Sequence, residues 1–173
     1  MTSRVAIRPH EESDSVEMCA AARESLLEIT PWMPWCRADY SIADAMAWVQ
    51  TTQECHQTRR MFDFAILNEA GKYAGSCGIN RIIWSDGVAN IGYWVRTSMT
   101  GRGIAPAAVT SLLSWAFENT SLNRLEIVVA VENTRSHRVA EKVGATRDAL
   151  LRKRTLVGGV ATDAVLYSMV RPG

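Results

Sequence analysis

Residues 4–8, Arg-Val-Ala-Ile-Arg, alternate polar and apolar positions and run into Pro9, the pattern of a half-buried strand ended by a turn. From Ser15 to about residue 29 the apolar positions fall at helical spacing, and Thr30-Pro31 stops the helix. Pro31 and Pro34 bar regular pairing through Trp32-Met33-Pro34-Trp35, so two tryptophans sit on a loop. Ser41-Ile42-Ala43-Asp44 has the form of a capping box, with Asp44 where Glu or Gln is usual. It starts a second amphipathic helix that lasts to about residue 58.

The period then changes. Residues 62–67, 74–83 and 89–95 are rich in apolar and branched side chains. The turn-forming Asn68-Glu69-Ala70-Gly71 and Ser85-Asp86-Gly87 separate them, which predicts an antiparallel meander. After Gly101-Arg102-Gly103, the residues Ile104, Ala108, Leu112 and Trp115 line one face of a helix that tolerates Pro106 in its first turn. Residues 124–131 read as a nearly continuous apolar strand, 136–143 as a short helix ended by Gly144, and 150–156 and 161–170 as two last strands. The order predicts one α+β domain over residues 1–173, with about seven strands and four helices.

Composition narrows the class. A chain of 173 residues, 47% hydrophobic and 21% charged, can bury a core and is neither fibrous nor disordered. Nineteen basic against eighteen acidic side chains leave a net charge of +1, too little for binding by phosphate neutralisation, so direct nucleic-acid binding is not expected. The short basic runs Arg59-Arg60 and Arg152-Lys153-Arg154 read as solvated turn and strand residues. No apolar run approaches the roughly 20 residues of a membrane span, and Met1-Thr2-Ser3-Arg4-Val5 lacks the apolar core of a signal peptide. A cytoplasmic protein without membrane partners is expected. Cys19, Cys36, Cys55 and Cys77 form no C-x-x-C pair, so they read as reduced packing thiols, and no metal is expected.

The chemistry concentrates where a strand delivers Gly101-Arg102-Gly103 to a helix start. Backbone N–H groups there lack intrahelical partners and, with the helix dipole, suit an anionic phosphate. The loop is not a Walker sequence, and Pro106 stands where a dinucleotide fingerprint needs its third glycine. A tight turn and helix cap is the alternative reading of the two glycines. Asp63 and Glu132 are acidic residues at strand ends that qualify as a general base or as solvated charges. His10, His56 and His137 read as loop, helix-end and surface-helix residues.

Ser98-Met99-Thr100-Gly101-Arg102-Gly103 resembles the Gln/Arg-x-x-Gly-x-Gly/Ala signature of the GCN5-related N-acetyltransferases (GNAT), except at Ser98. Asn80-Arg81-Ile82, Ile91-Gly92-Tyr93-Trp94 and Asn133-Thr134-Arg135-Ser136 are similar to motifs of the branch that acetylates ribosomal-protein N-termini. The resemblance implies a mixed, mostly antiparallel sheet splayed between strands four and five, with a bulge in strand four and acetyl-CoA as donor. By that resemblance Tyr93, Trp94, Val95 and Arg96 lie at the splay, and the Val95 backbone binds pantetheine and the developing oxyanion. Met99, Thr100, Gly101, Arg102, Gly103, Ile104 and Ala105 hold the pyrophosphate, with Arg102 also readable as a solvated loop residue.

The resemblance further assigns Asn133 to coenzyme binding and Ser136 to the acid that meets the departing thiolate. Both also read as plain helix-cap residues. The tyrosine that many members carry in the fourth helix is missing, since the tyrosines are Tyr40, Tyr73, Tyr93 and Tyr167. Trp32, Trp35 and Asn80 are candidate acceptor-site residues, the tryptophans equally serving to seal the core. An α-amine has a pKa of about 7.7–8.0, so roughly a tenth is neutral at pH 7, against well under about 0.1% of a lysine. A protein N-terminus is therefore the expected acceptor, with Asp63 a candidate base relayed through water. A small amine such as an amino acid, polyamine or antibiotic is the rival, and a non-catalytic acyl-CoA-binding module a third. Apolar sheet and helix surfaces are compatible with a homodimer.

Overall fold

A computed structural model describes residues 4–173; Met1-Thr2-Ser3, part of the start read above, lies outside the described residues. Seven strands form one sheet in the order β1-β2-β3-β4-β5-β7-β6. They are β1 (Ala6–Pro9), β2 (Phe62–Leu67), β3 (Tyr73–Ile83), β4 (Val88–Val95), β5 (Arg124–Ala130), β6 (Thr146–Val157) and β7 (Val160–Val170). All neighbours pair antiparallel except β4 and β5, which are parallel. No helix of the described residues is long and apolar enough to cross a membrane.

Strand alternation divides the core. Phe62, Phe64, Cys77, Ile79, Ala89 and Ile91 point to one face, where α4 (Ile104–Asn119) covers them with Ala108, Val109 and Leu112. α5 (Thr134–Lys142) adds Ala140 to that side. Ala65 and Tyr73 belong to the opposite face, packed under α1 (Ser15–Glu24) and α3 (Ile42–Gln57) through Met18, Cys19, Ala22, Ala45 and Val49. Cys19, Cys36 and Cys77 are buried, Cys55 is half-buried, and all four are free thiols.

Local choices follow from local chemistry. Ser41 accepts from the Asp44 N–H while Asp44 accepts from the Ser41 N–H, so the shorter acid closes the box as well as Glu would. The helix predicted over 15–29 is broken instead. α1 ends at Glu24, and a single turn, α2 (Leu26–Ile29), follows. The reason is tertiary: buried Ser25 turns its hydroxyl to the Thr97 N–H at 2.9 Å, tying the break to the segment after β4.

Two further expectations change. β6 begins at Thr146, four residues before the predicted strand, because it pairs with Ser168 and Tyr167 along an edge whose side chains are mostly exposed. The bulge implied for β4 lies in β3. The β3–β4 register is unbroken from Asn80↔Asn90 to Gly75↔Val95 and shifts between Asn80 and Ile83, where Arg81 takes a left-handed φ of 49°.

Candidate active site

β4 and β5 pair only over Val88–Asn90 against Arg124–Glu126, then part. The Arg96 N–H bonds the Ala74 carbonyl on β3, so strand alternation turns the backbone groups of Tyr93 and Val95 the other way, into the gap. A cleft of about 240 Å³ occupies that gap. Its walls include Ile91–Val95, Ile127–Ala130, Thr100, Ala105, Asn133 and Ser136. An unpaired strand edge of this kind accepts an extended, amide-bearing arm as if it were another strand.

The cleft runs to the start of α4. Gly101 and Gly103 have φ of 75° and 76°, a left-handed conformation that only glycine adopts without strain. Gly103 is the N-cap and offers no side-chain cap, so the Ile104 and Ala105 N–H groups have no intrahelical partner, beside the end of the cleft that Thr100 and Ala105 line. Ile104 has only its backbone to offer there, since its side chain is buried in the core. Met99 packs against that core and approaches Asn68, while Arg102 is exposed. These residues fit a phosphorylated cofactor: an anion site at one end of the cleft, open strand edge along it.

Arg96 turns away from the cleft. Its guanidinium bonds Glu24 at 2.7 Å and Glu17 at 3.2 Å, fastening α1 to the end of β4. Burial would lower its pKa, but the two carboxylates hold it above the ordinary arginine value. Ser98, where the signature has Gln or Arg, gives its N–H to Glu24 at 2.7 Å.

Across the gap, Asn133 caps α5 by accepting the Ser136 N–H at 3.1 Å. The Ser136 hydroxyl lies 2.7 Å from the Tyr93 hydroxyl, which reaches over from β4. Burial pushes the Tyr93 pKa up to about 12, outweighing the Ser136 hydrogen bond that lowers it, so Tyr93 stays protonated at neutral pH. A tyrosine hydroxyl thus reaches Ser136 from the strand, a contact that motif spacing does not reveal. His137 is half-buried, not a free surface residue, and shares a 2.9 Å hydrogen bond with Tyr167. Glu132 is exposed in the turn before α5.

A second cavity, of about 500 Å³, lies on the α1/α3 face of the same strands. Gly92, Tyr93, Trp94 and Met33 border both cavities, so β4 is the partition between them. The second is walled by Trp35, Tyr40, Trp48, Tyr73 and Trp94, with Trp35 within 5.5 Å of both Tyr40 and Trp94 by ring centroids. Asn80, held by the Asn90 amide at 2.9 Å, borders it as well. Trp32 does not: it lines the cleft between β4 and β5.

Two carboxylates face this cavity. Asp44 is bound by Arg37 at 2.8 Å and by Ser41. Asp63 accepts from His10 Nε2 at 2.7 Å and from the Ser76 hydroxyl at 2.5 Å. His10, read from sequence as a loop residue, follows β1 and is buried; no pattern of spacing joins it to residues 63 and 76. His56 packs edge-on against Phe62, Phe64 and Trp115 at the end of α3, and burial lowers its pKa.

A splayed mixed sheet whose fourth strand feeds a glycine loop and helix defines an acyl-CoA-dependent transferase fold. The family model of the acetyltransferase (GNAT) domain matches residues 4–146, and the chain belongs to that family of acetyl-CoA-dependent N-acetyltransferases. It is 39% identical over 115 residues to YdaF, a candidate ribosomal N-acetyltransferase of Bacillus subtilis (strain 168), a match spanning 62% of this chain and 63% of that protein. It is 24% identical to the ribosomal-protein-serine acetyltransferase of Escherichia coli (strain K12), over 91% of this chain and 94% of that one. Mycobacterium smegmatis RimJ, solved in complex with CoA-disulfide, superposes with a TM-score of 0.89 at 27% identity, covering 96% of this chain and 81% of the other.

Proposed function

We propose that this acetyltransferase modifies the free α-amine of a protein N-terminus. The supporting observation is the pair of cavities meeting at Gly92–Trp94, one suited to an extended cofactor arm and the other deep enough for the first residues of a peptide. The likeness to acetyltransferases named for ribosomal proteins supports the same acceptor class.

Acetyl-CoA, when bound, supplies the acetyl thioester. The Val95 N–H, facing the gap, donates to charge developing on the carbonyl oxygen. Ser136, kept in place by Tyr93 at 2.7 Å and by its cap to Asn133, meets the departing sulfur with its hydroxyl proton and takes up in exchange, through water, the proton that the attacking amine loses as the amide forms, so the hydroxyl is restored. Trp94 borders both cavities where they meet. An α-amine suits this arrangement because a useful fraction is already neutral at pH 7.

The small-amine reading has one observation in its favour, the aromatic wall of the second cavity, which would hold an apolar amine without any peptide backbone. Thiol release from acetyl-CoA separates the two. Short peptides with free N-termini are compared with amino acids, polyamines and aminoglycosides, with N-blocked peptides as controls. Turnover on free peptide N-termini, rising with peptide length, is expected; turnover confined to small amines overturns the proposal.

A further inference from the structure

The registers Asp63↔Gly78 and Gly78↔Gly92 set three residues in one row across β2, β3 and β4. On the cavity face that row carries one side chain, that of Asp63. A Cβ built on Gly78 would lie 2.3 Å from Asp63 Oδ2, so the carboxylate leans over β3 into space that only glycine leaves. The next row position is Gly92, one strand spacing further, about 5 Å. There a Cβ would meet nothing nearer than Asn80 Nδ2 at 3.5 Å. A side-chain-free track thus joins Asp63 Oδ2 to the strand that borders the donor cleft.

Asp63 is held for this direction. Both of its donors, His10 Nε2 and the Ser76 hydroxyl, sit on Oδ1, which fixes the rotamer and leaves Oδ2 toward Gly78. Neither donor is an arginine, whereas Asp44, the other carboxylate of the cavity, is occupied by Arg37. The His10 side chain is fully buried, and its Nδ1 has no hydrogen-bond partner among the described residues. A buried polar atom left unpaired is a cost that a purely structural position would shed by becoming apolar. The fold retains it where the other ring nitrogen aims a carboxylate into a cavity.

We infer that Asp63 Oδ2 receives the acceptor's ammonium group and its proton over the Gly78–Gly92 track, and that His10 is the positioning residue that holds Asp63 for this role. The N–H bond of the ammonium breaks and an O–H bond forms at Asp63 Oδ2, directly or through one water. The neutral amine then stands one strand spacing away, at Gly92, beside the gap that Tyr93 and Val95 face. The inference rests on the reading of the larger cavity as the acceptor site.

The test is steady-state kinetics with a saturating acetyl-CoA concentration and a varied peptide acceptor, together with calorimetric CoA binding and melting temperature. Asp63→Asn keeps the shape and removes the proton acceptor, and a fall of about 100-fold in kcat/KM for the acceptor is expected with CoA affinity unchanged. His10→Phe removes the donor and His10→Gln restores an N–H at similar reach; His10→Phe lowers kcat about tenfold and His10→Gln recovers most of it. Gly92→Ala, which the fold accommodates, raises the acceptor KM. Wild-type kinetics in Asp63→Asn, or equal kinetics in the two His10 variants, overturn the inference. If Trp35→Ala and Gly92→Ala also leave the acceptor KM unmoved, the acceptor binds elsewhere and the underlying reading of the cavity fails too. If those two raise KM while Asp63→Asn and both His10 variants keep wild-type kcat and KM, the cavity reading stands and this inference alone falls.

Discussion

The two cavities on either side of β4 are built from different materials. The cleft between β4 and β5 is framed by backbone features: the parted edges of the two strands, two left-handed glycines and a helix start without a side-chain cap. The larger cavity is walled by side chains gathered from α1, from the Met33–Tyr40 segment, from α3 and from three strands. A backbone site binds whatever shares the cofactor's repeating amides and phosphates, and tolerates many side chains. A side-chain site is set residue by residue, which suits the larger cavity to selecting an acceptor under the proposed function.

Substitutions should therefore act on one side of β4 and leave the other alone. The largest effect falls on the residue that serves the leaving sulfur. Ser136→Ala is expected to lower kcat about 100-fold with CoA affinity within about twofold, and Tyr93→Phe, which only removes the partner of Ser136, about tenfold. Single-turnover kinetics with calorimetric CoA binding checks both. Gly103→Val comes next: a branched side chain at φ 76° is strained and projects at the anion site, so the CoA dissociation constant should rise about 10- to 50-fold while the acceptor KM holds.

The tryptophans give a sharper and smaller contrast. Trp35→Ala should raise the acceptor KM about fivefold without affecting CoA, and Trp32→Ala should do the reverse, as read by the two KM values. The smallest effect concerns the scaffold behind the acceptor side. Burial raises the pKa of Asp14, but the Arg8 fork, with two contacts of 2.7 Å, and the Glu11 N–H bring it below the ordinary aspartate value. A folded pKa below the unfolded one contributes stability above about pH 4 that is lost as pH falls through the folded value. Asp14→Asn should lower the melting temperature by about 5 °C at pH 7, with the difference shrinking toward pH 3 in a pH series of thermal melts.

The contrast between the cavities also explains what could be read from the chain. Gly101 and Gly103 announce themselves because a left-handed backbone dictates residue type at adjacent positions. Asn133 and Ser136 do so because one helix start brings them together. The α+β order of strands and helices was equally legible, since hydrophobic period alone distinguishes 62–67 from 104–119.

His10, Asp63 and Ser76 share no local pattern and are joined by strand pairing, β1 beside β2 beside β3. The Tyr93–Ser136 contact likewise depends on how α5 lies across the splay. The break at Ser25 was hidden because the helical period continues through Leu26 and Ile29, and a bond to Thr97 decides the matter. The early start of β6 was hidden because Arg147 and Asp148 are polar and exposed on an edge strand.

The most direct test of the acceptor is a peptide that carries a free α-amine and an internal lysine, incubated with the protein and acetyl-CoA, with the acetyl group located by tandem mass spectrometry. Acetylation of the α-nitrogen with the lysine unmodified is the predicted result. Acetyl on the lysine ε-nitrogen, with the N-terminus left free, would contradict the account.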